Sequence, residues 1–346
     1  MLFIGEPLKE YIATVEPGGT LSHASFTGFA GDLAPNMASY TRMAATRFGV
    51  ACTIDVLTAV GPLGDPSSDG MLADLTSRGL GIHSYSKRLP ATALGIVINL
   101  KNPDGSPSAD KVRLVRSDSP FRDLLTDATD EDLVAITRGY AHIVISGTSL
   151  ACVRDRGKLV AILRKAKCRD PAPQVILSTN LRPSNWQMPD RDHPAGLSPQ
   201  DDEWRRKARR WLDDVIGLAD IICANFTDEC TLRGSGTPVE AAETLRRLSD
   251  GAEVIVTNDA EPIVAVYGSR DAGATVMLPV HPVAAVIDTV GAGDAFAGTY
   301  LAARMAGHDV PAAAEWGLAI AAQVVGFDGA LPRDGRSLVF GAGARS

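Results

Sequence analysis

Chemistry concentrates in one stretch late in the chain, Asp288-Thr289-Val290-Gly291-Ala292-Gly293-Asp294-Ala295-Phe296-Ala297-Gly298. Small residues and a glycine pair lead into a segment whose apolar residues, Phe296, Tyr300, Leu301 and Met305, fall at helical spacing. The spacing predicts a helix that begins at or near Asp294. A helix N-terminus presents unpaired backbone N–H groups and a positive dipole end, so it attracts phosphate. Glycines let the backbone approach that anion with no Cβ in the way. The N–H groups of Gly291, Ala292 and Gly293 are the expected anion hole. A carboxylate there would repel phosphate as a ligand. As a base facing a hydroxyl that attacks phosphorus, Asp294 makes chemical sense. A dinucleotide fingerprint fits less well: Gly291 and Gly293 match its start, but Phe296 stands at its third glycine.

Such a site needs a frame, and the chain alternates apolar strand-like runs with helical patterns. The runs at 141–145, 174–177, 220–223 and 253–256 read as strands. Helices are expected near 150–166, 202–217 and 226–233. Thr237-Pro238-Val239-Glu240 reads as a capping box with proline at the first helical position, opening a helix to about Leu248. The alternation predicts a mostly parallel sheet with helices on both faces, and such sheets bind ligands at the carboxyl ends of their strands. Two regions break the pattern. Residues 8–28 and 90–118 read as short strands with turns, and residues 186–202, rich in Pro, Asp and Gly, read as a surface loop.

The chain of 346 residues is long enough for a large core in one domain with or without a lid. A net charge of −7 argues against a nucleic-acid partner. The basic run Arg205 to Arg210 is interleaved with Trp204, Trp211 and Leu212, as on the wet face of a helix. Five cysteines, odd in number and without C-x-x-C spacing, read as reduced thiols of a cytoplasmic protein, with no structural zinc. The six histidines show no paired metal spacing and read as structural or surface residues. No run approaches the ~18 apolar residues of a spanning helix, and the first residues lack a signal-peptide pattern, so no membrane role is expected.

The stretch from Asp288 resembles the C-terminal signature D-T-x-G-A-G-D-x-F of the ribokinase (PfkB) family of sugar kinases, and the resemblance runs from about Gly5 to Pro332. It implies a ribokinase-like α/β domain spanning 1–346, with the strands at 8–28 and 90–118 forming a small β-lid. A lid keeps water from the phosphoryl group. Gly31-Asp32 and Asn36, at the start of a helix around 34–48, resemble the family pattern G-G-D-x-x-N, with Ala30 for the first glycine. The resemblance gives Gly31, Asp32 and Asn36 a sugar-holding role; the residue types also allow Asp32 to be a plain helix cap. The segments at Gly64-Asp65-Pro66, Gly70-Met71-Leu72 and Gly79-Leu80-Gly81 match as scaffold.

Asn180-Leu181-Arg182-Pro183 with Trp186, and the segment ending at Arg116, resemble elements of 2-keto-3-deoxygluconate kinases. Paired guanidiniums suit a sugar carboxylate, because they bind it bidentately and keep their charge. The alternative is that each arginine pairs with a protein carboxylate. Leu114 and Ser178 stand where those kinases carry an aromatic residue and Asp. On the nucleotide side, Asn225 with Asp228 and Glu229 resembles the N-x-x-E element, which implies Mg²⁺ organised through water; a favourable acidic helix start is the alternative. Thr257 and Asp259 fall in the strand and turn beneath the nucleotide, with Asp259 where the family has glycine. A carboxylate there either repels triphosphate or points to solvent from the turn. Gly329 and Ala330 resemble the turn on the adenine side.

The resemblance therefore implies an ATP- and Mg²⁺-dependent sugar kinase, admits a monovalent cation, and makes a homodimer through lid strands a reasonable expectation. An acidic keto-sugar such as 2-keto-3-deoxygluconate is the expected substrate. A kinase for a neutral sugar or a nucleoside, and a sugar-binding protein without turnover, stay open as alternatives.

Overall fold

A computed structural model of the chain describes all residues apart from 16–18, 20–26, 87–93, 102–106, 116–118, 190–195, 201, 270–272, 333–336 and 341–346. In chain order its first half holds β1 (Leu2–Ile4), β2 (Leu8–Val15), β3 (Thr27–Gly31), α1 (Leu33–Arg47), β4 (Asp55–Val60), α2 (Pro66–Ser77), β5 (Gly81–Ser86), β6 (Leu94–Lys101), β7 (Pro107–Val115), α3 (Leu124–Asp127), α4 (Asp130–Arg138), β8 (His142–Ser146), α5 (Gly147–Cys152) and α6 (Arg156–Lys167). The second half holds β9 (Gln174–Ser178), α7 (Pro183–Gln187), α8 (Glu203–Ile216), β10 (Ile221–Asn225), α9 (Phe226–Arg233), α10 (Pro238–Leu248), β11 (Glu253–Asn258), β12 (Glu261–Gly268), β13 (Gly273–Leu278), α11 (Ala292–Met305) and α12 (Val310–Val324).

The large sheet has nine strands in the order β13-β12-β11-β10-β9-β8-β1-β4-β5. All pairs from β11 across to β5 are parallel; β12 pairs antiparallel with both β11 and β13, so among the described strands of this sheet β12 alone runs against the rest. Its central strands are buried on both faces, which is why they read as nearly unbroken apolar runs. Successive side chains feed opposite cores. Leu2, Ile4, Ile143, Ile145 and Ile222 enter one core, packed with residues of α6, α8 and α10; Phe3, Val144 and Ile221 enter the other, packed with residues of α1, α11 and α12. The expected parallel sheet, covered on both faces, is what the chain builds.

The second sheet has four strands in the order β3-β2-β6-β7. β2 pairs antiparallel with β3 and parallel with β6, and β6 pairs antiparallel with β7. β2, β6 and β7 fall inside the regions 8–28 and 90–118 that read as short strands, whereas β3 begins at Thr27 and runs past the first region to Gly31. Two expectations need adjusting. The helix expected near 150–166 is two helices, because Val153 takes an extended conformation and Asp155 opens a new cap on Lys158 N–H. The loop expected from 186 starts later: Trp186 lies in α7 and is fully buried.

Candidate active site

The carboxyl ends of β1, β8, β9, β10 and β11 share one edge of the large sheet, and the expected site residues follow them. α11 begins two residues before the expected position. Its N-cap is Gly291, with φ 80°, a left-handed conformation open to glycine. A Cβ on Gly291 would also lie 2.6 Å from the Ala330 α-carbon and 2.7 Å from its carbonyl oxygen. The glycine therefore lets the loop at 288–293 lie flat against the turn at 327–331. Gly293 is exposed, and nothing lies within 4 Å of where its Cβ would be. Its N–H belongs to the first turn, which has no partner one turn back in the helix. Of the three expected anion-hole amides, that of Ala292 is used in the loop itself, donating to the Thr289 carbonyl at 3.3 Å.

Asp294 is half-buried in the first turn of α11. The side-chain Nδ2 of Asn36 donates to Asp294 Oδ2 at 3.1 Å, so the residue expected to hold sugar also holds the expected base. Asn36 is buried, and its Oδ1 finds no donor among the described residues. Asp32 sits at the N-cap position of α1 with φ 79° and ψ 166°, and its side chain makes no capping bond. The plain-cap alternative is thereby set aside. A non-glycine residue held there costs on the order of 1–3 kcal/mol, a cost seen mostly at functional sites. Gly31 ends β3 just before it.

Glu6 lies behind these residues, just after β1. It shares a buried cluster with Ser119, Cys152 and Arg122, within electrostatic reach of Asp32. Burial first, and the Asp32 carboxylate second, push its carboxyl up to about 7, against the opposing pull of Ser119, Cys152 and Arg122.

Arg182 is exposed at the N-cap position of α7. No carboxylate lies within ion-pair distance of it among the described residues, although it is in electrostatic reach of Asp228. Arg116, its expected companion, lies outside the described residues. Asp228 accepts the Leu181 N–H at 2.9 Å, which ties α9 to the loop that carries Arg182. Burial raises the Asp228 carboxyl, while the Leu181 N–H and Arg182 lower it and Asp259 raises it further.

Glu229 requires a correction. It is buried, not water-facing, and is paired with Arg233 at 2.9 Å. Consecutive helix residues point about 100° apart, so Asp228 can face the site edge while Glu229 turns inward. Burial raises the Glu229 carboxyl, with Arg233 pulling it back down.

Of the residues expected on the nucleotide side, Asn225 caps α9 through the Thr227 N–H at 2.9 Å and reaches Thr257 Oγ1 at 3.5 Å. Asp259 is exposed with φ 50° in the two-residue turn between the paired Asn258 and Glu261. A tight hairpin wants left-handed residues, and Asp accepts that conformation. Exposure supports the solvent-facing reading. Gly329 donates its N–H to Asp288 Oδ2 at 3.1 Å, and Ala330 is fully buried.

Three residues of this region carry no role in the motif reading. Asp288 accepts from Val290 N–H through Oδ1 and from Gly329 N–H through Oδ2, joining the two turns. Tyr40, fully buried, donates its hydroxyl proton to the Ala330 carbonyl at 2.6 Å. Glu6 is the third. Asp288 opens the signature, so a sequence signal existed for it; the other two show themselves only in three dimensions.

Residues 191–332 match the profile of the pfkB family carbohydrate kinases. A 2-dehydro-3-deoxygluconokinase from Dickeya dadantii (strain 3937) is 28% identical over 223 residues, covering 62% of this chain and 64% of that protein. A 5-dehydro-2-deoxygluconokinase from Clostridium perfringens (strain ATCC 13124) is 28% identical over 251 residues, covering 71% of this chain and 66% of that protein. Among solved structures, a putative Ribokinase II from E. coli in complex with ATP and Mg²⁺ superposes with a TM-score of 0.70 at 21% identity, covering 95% of this chain and 93% of that one.

Proposed function

We propose that this chain, with its match to the pfkB family carbohydrate kinase profile over residues 191–332 and its ribokinase-like fold, is an ATP-dependent sugar kinase acting on an acidic keto-sugar of the 2-keto-3-deoxygluconate type. The observation that carries this reading is the Asn36–Asp294 hydrogen bond beside an open, glycine-lined helix N-terminus. A sugar-holding amide and a base are joined within reach of an anion site, which is what phosphoryl transfer needs.

In the proposed step a sugar hydroxyl oxygen forms a bond to the γ-phosphorus. Its proton passes to the Asp294 carboxylate, and the bond from phosphorus to the bridging oxygen breaks, so that oxygen leaves with ADP. Asn36 holds the carboxylate in line, and its unsatisfied Oδ1 is an acceptor that a sugar hydroxyl can fill. The first-turn N–H groups of α11 stabilise the transferring charge. Mg²⁺, when bound with ATP, supplies charge neutralisation across the phosphates; the half-buried Asp228 is the hard oxygen donor that would hold it, through water. The exposed Arg182, with no carboxylate in ion-pair range among the described residues, supports recognition of a substrate carboxylate. Arg116 is proposed as its companion on the strength of the sequence alone. The four-stranded sheet is proposed as the lid that keeps water from the transfer.

The test is ADP release with Mg-ATP against a panel containing 2-keto-3-deoxygluconate, 5-keto-2-deoxygluconate, neutral hexoses and nucleosides. Turnover on a keto-acid with wild-type protein and a 10²–10⁴-fold lower kcat for Asp294→Asn are expected, the size of a general-base contribution. Turnover restricted to neutral sugars would remove the carboxylate argument built on Arg182. Near-normal kcat in Asp294→Asn would sink the mechanism.

A further inference from the structure

We propose that Tyr40 is a positioning residue that couples the sugar side of the site to its nucleotide side, through the hydrogen bond from its hydroxyl to the Ala330 carbonyl. The inference rests on the kinase reading and adds to it a residue that touches neither substrate.

The geometry is a closed circuit. Asn36 and Tyr40 stand one turn apart on α1 and therefore on one face of it. The first of them grips Asp294 at 3.1 Å and the second grips Ala330 at 2.6 Å. Ala330 in turn lies against Gly291, where a Cβ would collide with its backbone. Its neighbour Gly329 is tied through Asp288 to Val290. Gly291 leads straight into α11 and Asp294. α1, the phosphate-side loop and the adenine-side turn thus hold one another at every corner.

The links are also stiff. Tyr40, Asp288 and Ala330 are buried, at 0%, 2% and 0% exposure. Burial pushes the Tyr40 phenol up, with the Asp294 carboxylate adding to the effect, so the hydroxyl stays a donor through the working pH range. A buried carbonyl deprived of its donor pays the full desolvation cost of that group. Any shift of α1 that accompanies sugar contact at Asp32 and Asn36 is passed directly to the 327–331 turn. By reciprocity, occupancy of that turn is passed back to the sugar residues.

The experiment measures coupling rather than activity. The Kd of a non-hydrolysable ATP analogue with Mg²⁺ is determined by calorimetry, with and without saturating 2-keto-3-deoxygluconate (or whichever sugar the panel turns over). Wild-type protein is expected to bind the analogue several-fold more tightly with sugar present. In Tyr40→Phe that ratio falls toward one, while the Kd for sugar alone stays within two-fold. A purely structural role would lower Tm or weaken both ligands and leave the ratio unchanged. An unchanged ratio in Tyr40→Phe, or a wild-type ratio of one, overturns the proposal. Wild-type protein that binds no nucleotide and turns over no sugar overturns the kinase reading first and this inference with it. Should Tyr40→Phe fail to fold, Asp288→Asn opens the same circuit at another corner and is expected to lower the same ratio.

Discussion

Glu6 stands directly after β1, closed off from water beside Ser119, Cys152 and Arg122. Its Oε1 has no hydrogen-bond partner among the described residues. Below its ordinary value of 4.5 the carboxyl is protonated in folded and unfolded chains alike. As pH rises, the unfolded chain ionises it first, while the folded chain keeps it neutral up to about 7. Stability is therefore present below 4.5 and is lost across that window, by about 3 kcal/mol in all. Glu6→Gln removes the titration at nearly constant shape. The stability gap between variant and wild type in urea titrations should be wider at pH 8 than at pH 5, by about 2 kcal/mol in favour of the variant. A gap that does not change with pH would show that Glu6 ionises normally. Sequence reasoning could find Asp294 and Asn36 because each sits in a short motif whose spacing carries the chemistry. It passed over Glu6 and Tyr40 because their partners, Cys152 and Ala330, are far away in the chain.

Helices and strands were legible wherever periodicity and local caps agreed. α8, α9 and α10 fall within a residue or so of their expected bounds, because their apolar stripes and caps lie in adjacent sequence. The capping box at Thr237 is half realised. Thr237 accepts the Glu240 N–H at 3.1 Å, but Glu240 reaches back to the Gly236 N–H at 2.8 Å rather than to that of Thr237. The glycine before the cap offers an unhindered amide, and spacing alone does not distinguish the two. The contact between α1 and α11 has no local signal at all. Gly298 permits it: a Cβ there would stand 2.5 Å from the Met37 carbonyl oxygen and 2.8 Å from the Tyr40 Cβ. Both are parts of a helix that cannot move independently of its core. Gly298→Ala should push the two helices apart, costing about 1–3 kcal/mol of stability. Because the Asn36–Asp294 bond bridges the same pair of helices, kcat should fall at least ten-fold even where the variant stays folded. A folded variant of unchanged kcat would show that the proposed base, Asp294, does not depend on this packing.

At the scale of the whole molecule the question is how the small sheet is held to the large one, since Asp32 lies where they meet. The attachment is made by α2. Asp74 Oδ2 accepts the Ala30 N–H at 2.6 Å, and Arg78 Nη2 donates to the Ala30 carbonyl at 2.7 Å. Arg78 and Asp74 are also bonded to each other, one helical turn apart. Both backbone groups of a single residue of β3 are thus clamped by one charged pair, two residues before Asp32. The clamp has no local signal in the sequence, because β3 meets Asp74 and Arg78 across more than forty residues of chain. Hydrogen bonds to charged groups are worth about 1.5–3 kcal/mol, so Asp74→Ala should release β3 and leave the central strands untouched. Amide exchange should quicken at 27–31 while β1, β8 and β9 keep their protection. The Michaelis constant for sugar should rise about ten-fold, equivalent to about 1.4 kcal/mol, with kcat nearly preserved, because Asp294 and the glycine loop belong to the large sheet's side of the molecule. Faster exchange throughout β1, β8 and β9 would mean that the clamp stabilises the whole fold instead. Unchanged exchange at 27–31 would mean that other contacts hold the small sheet in place.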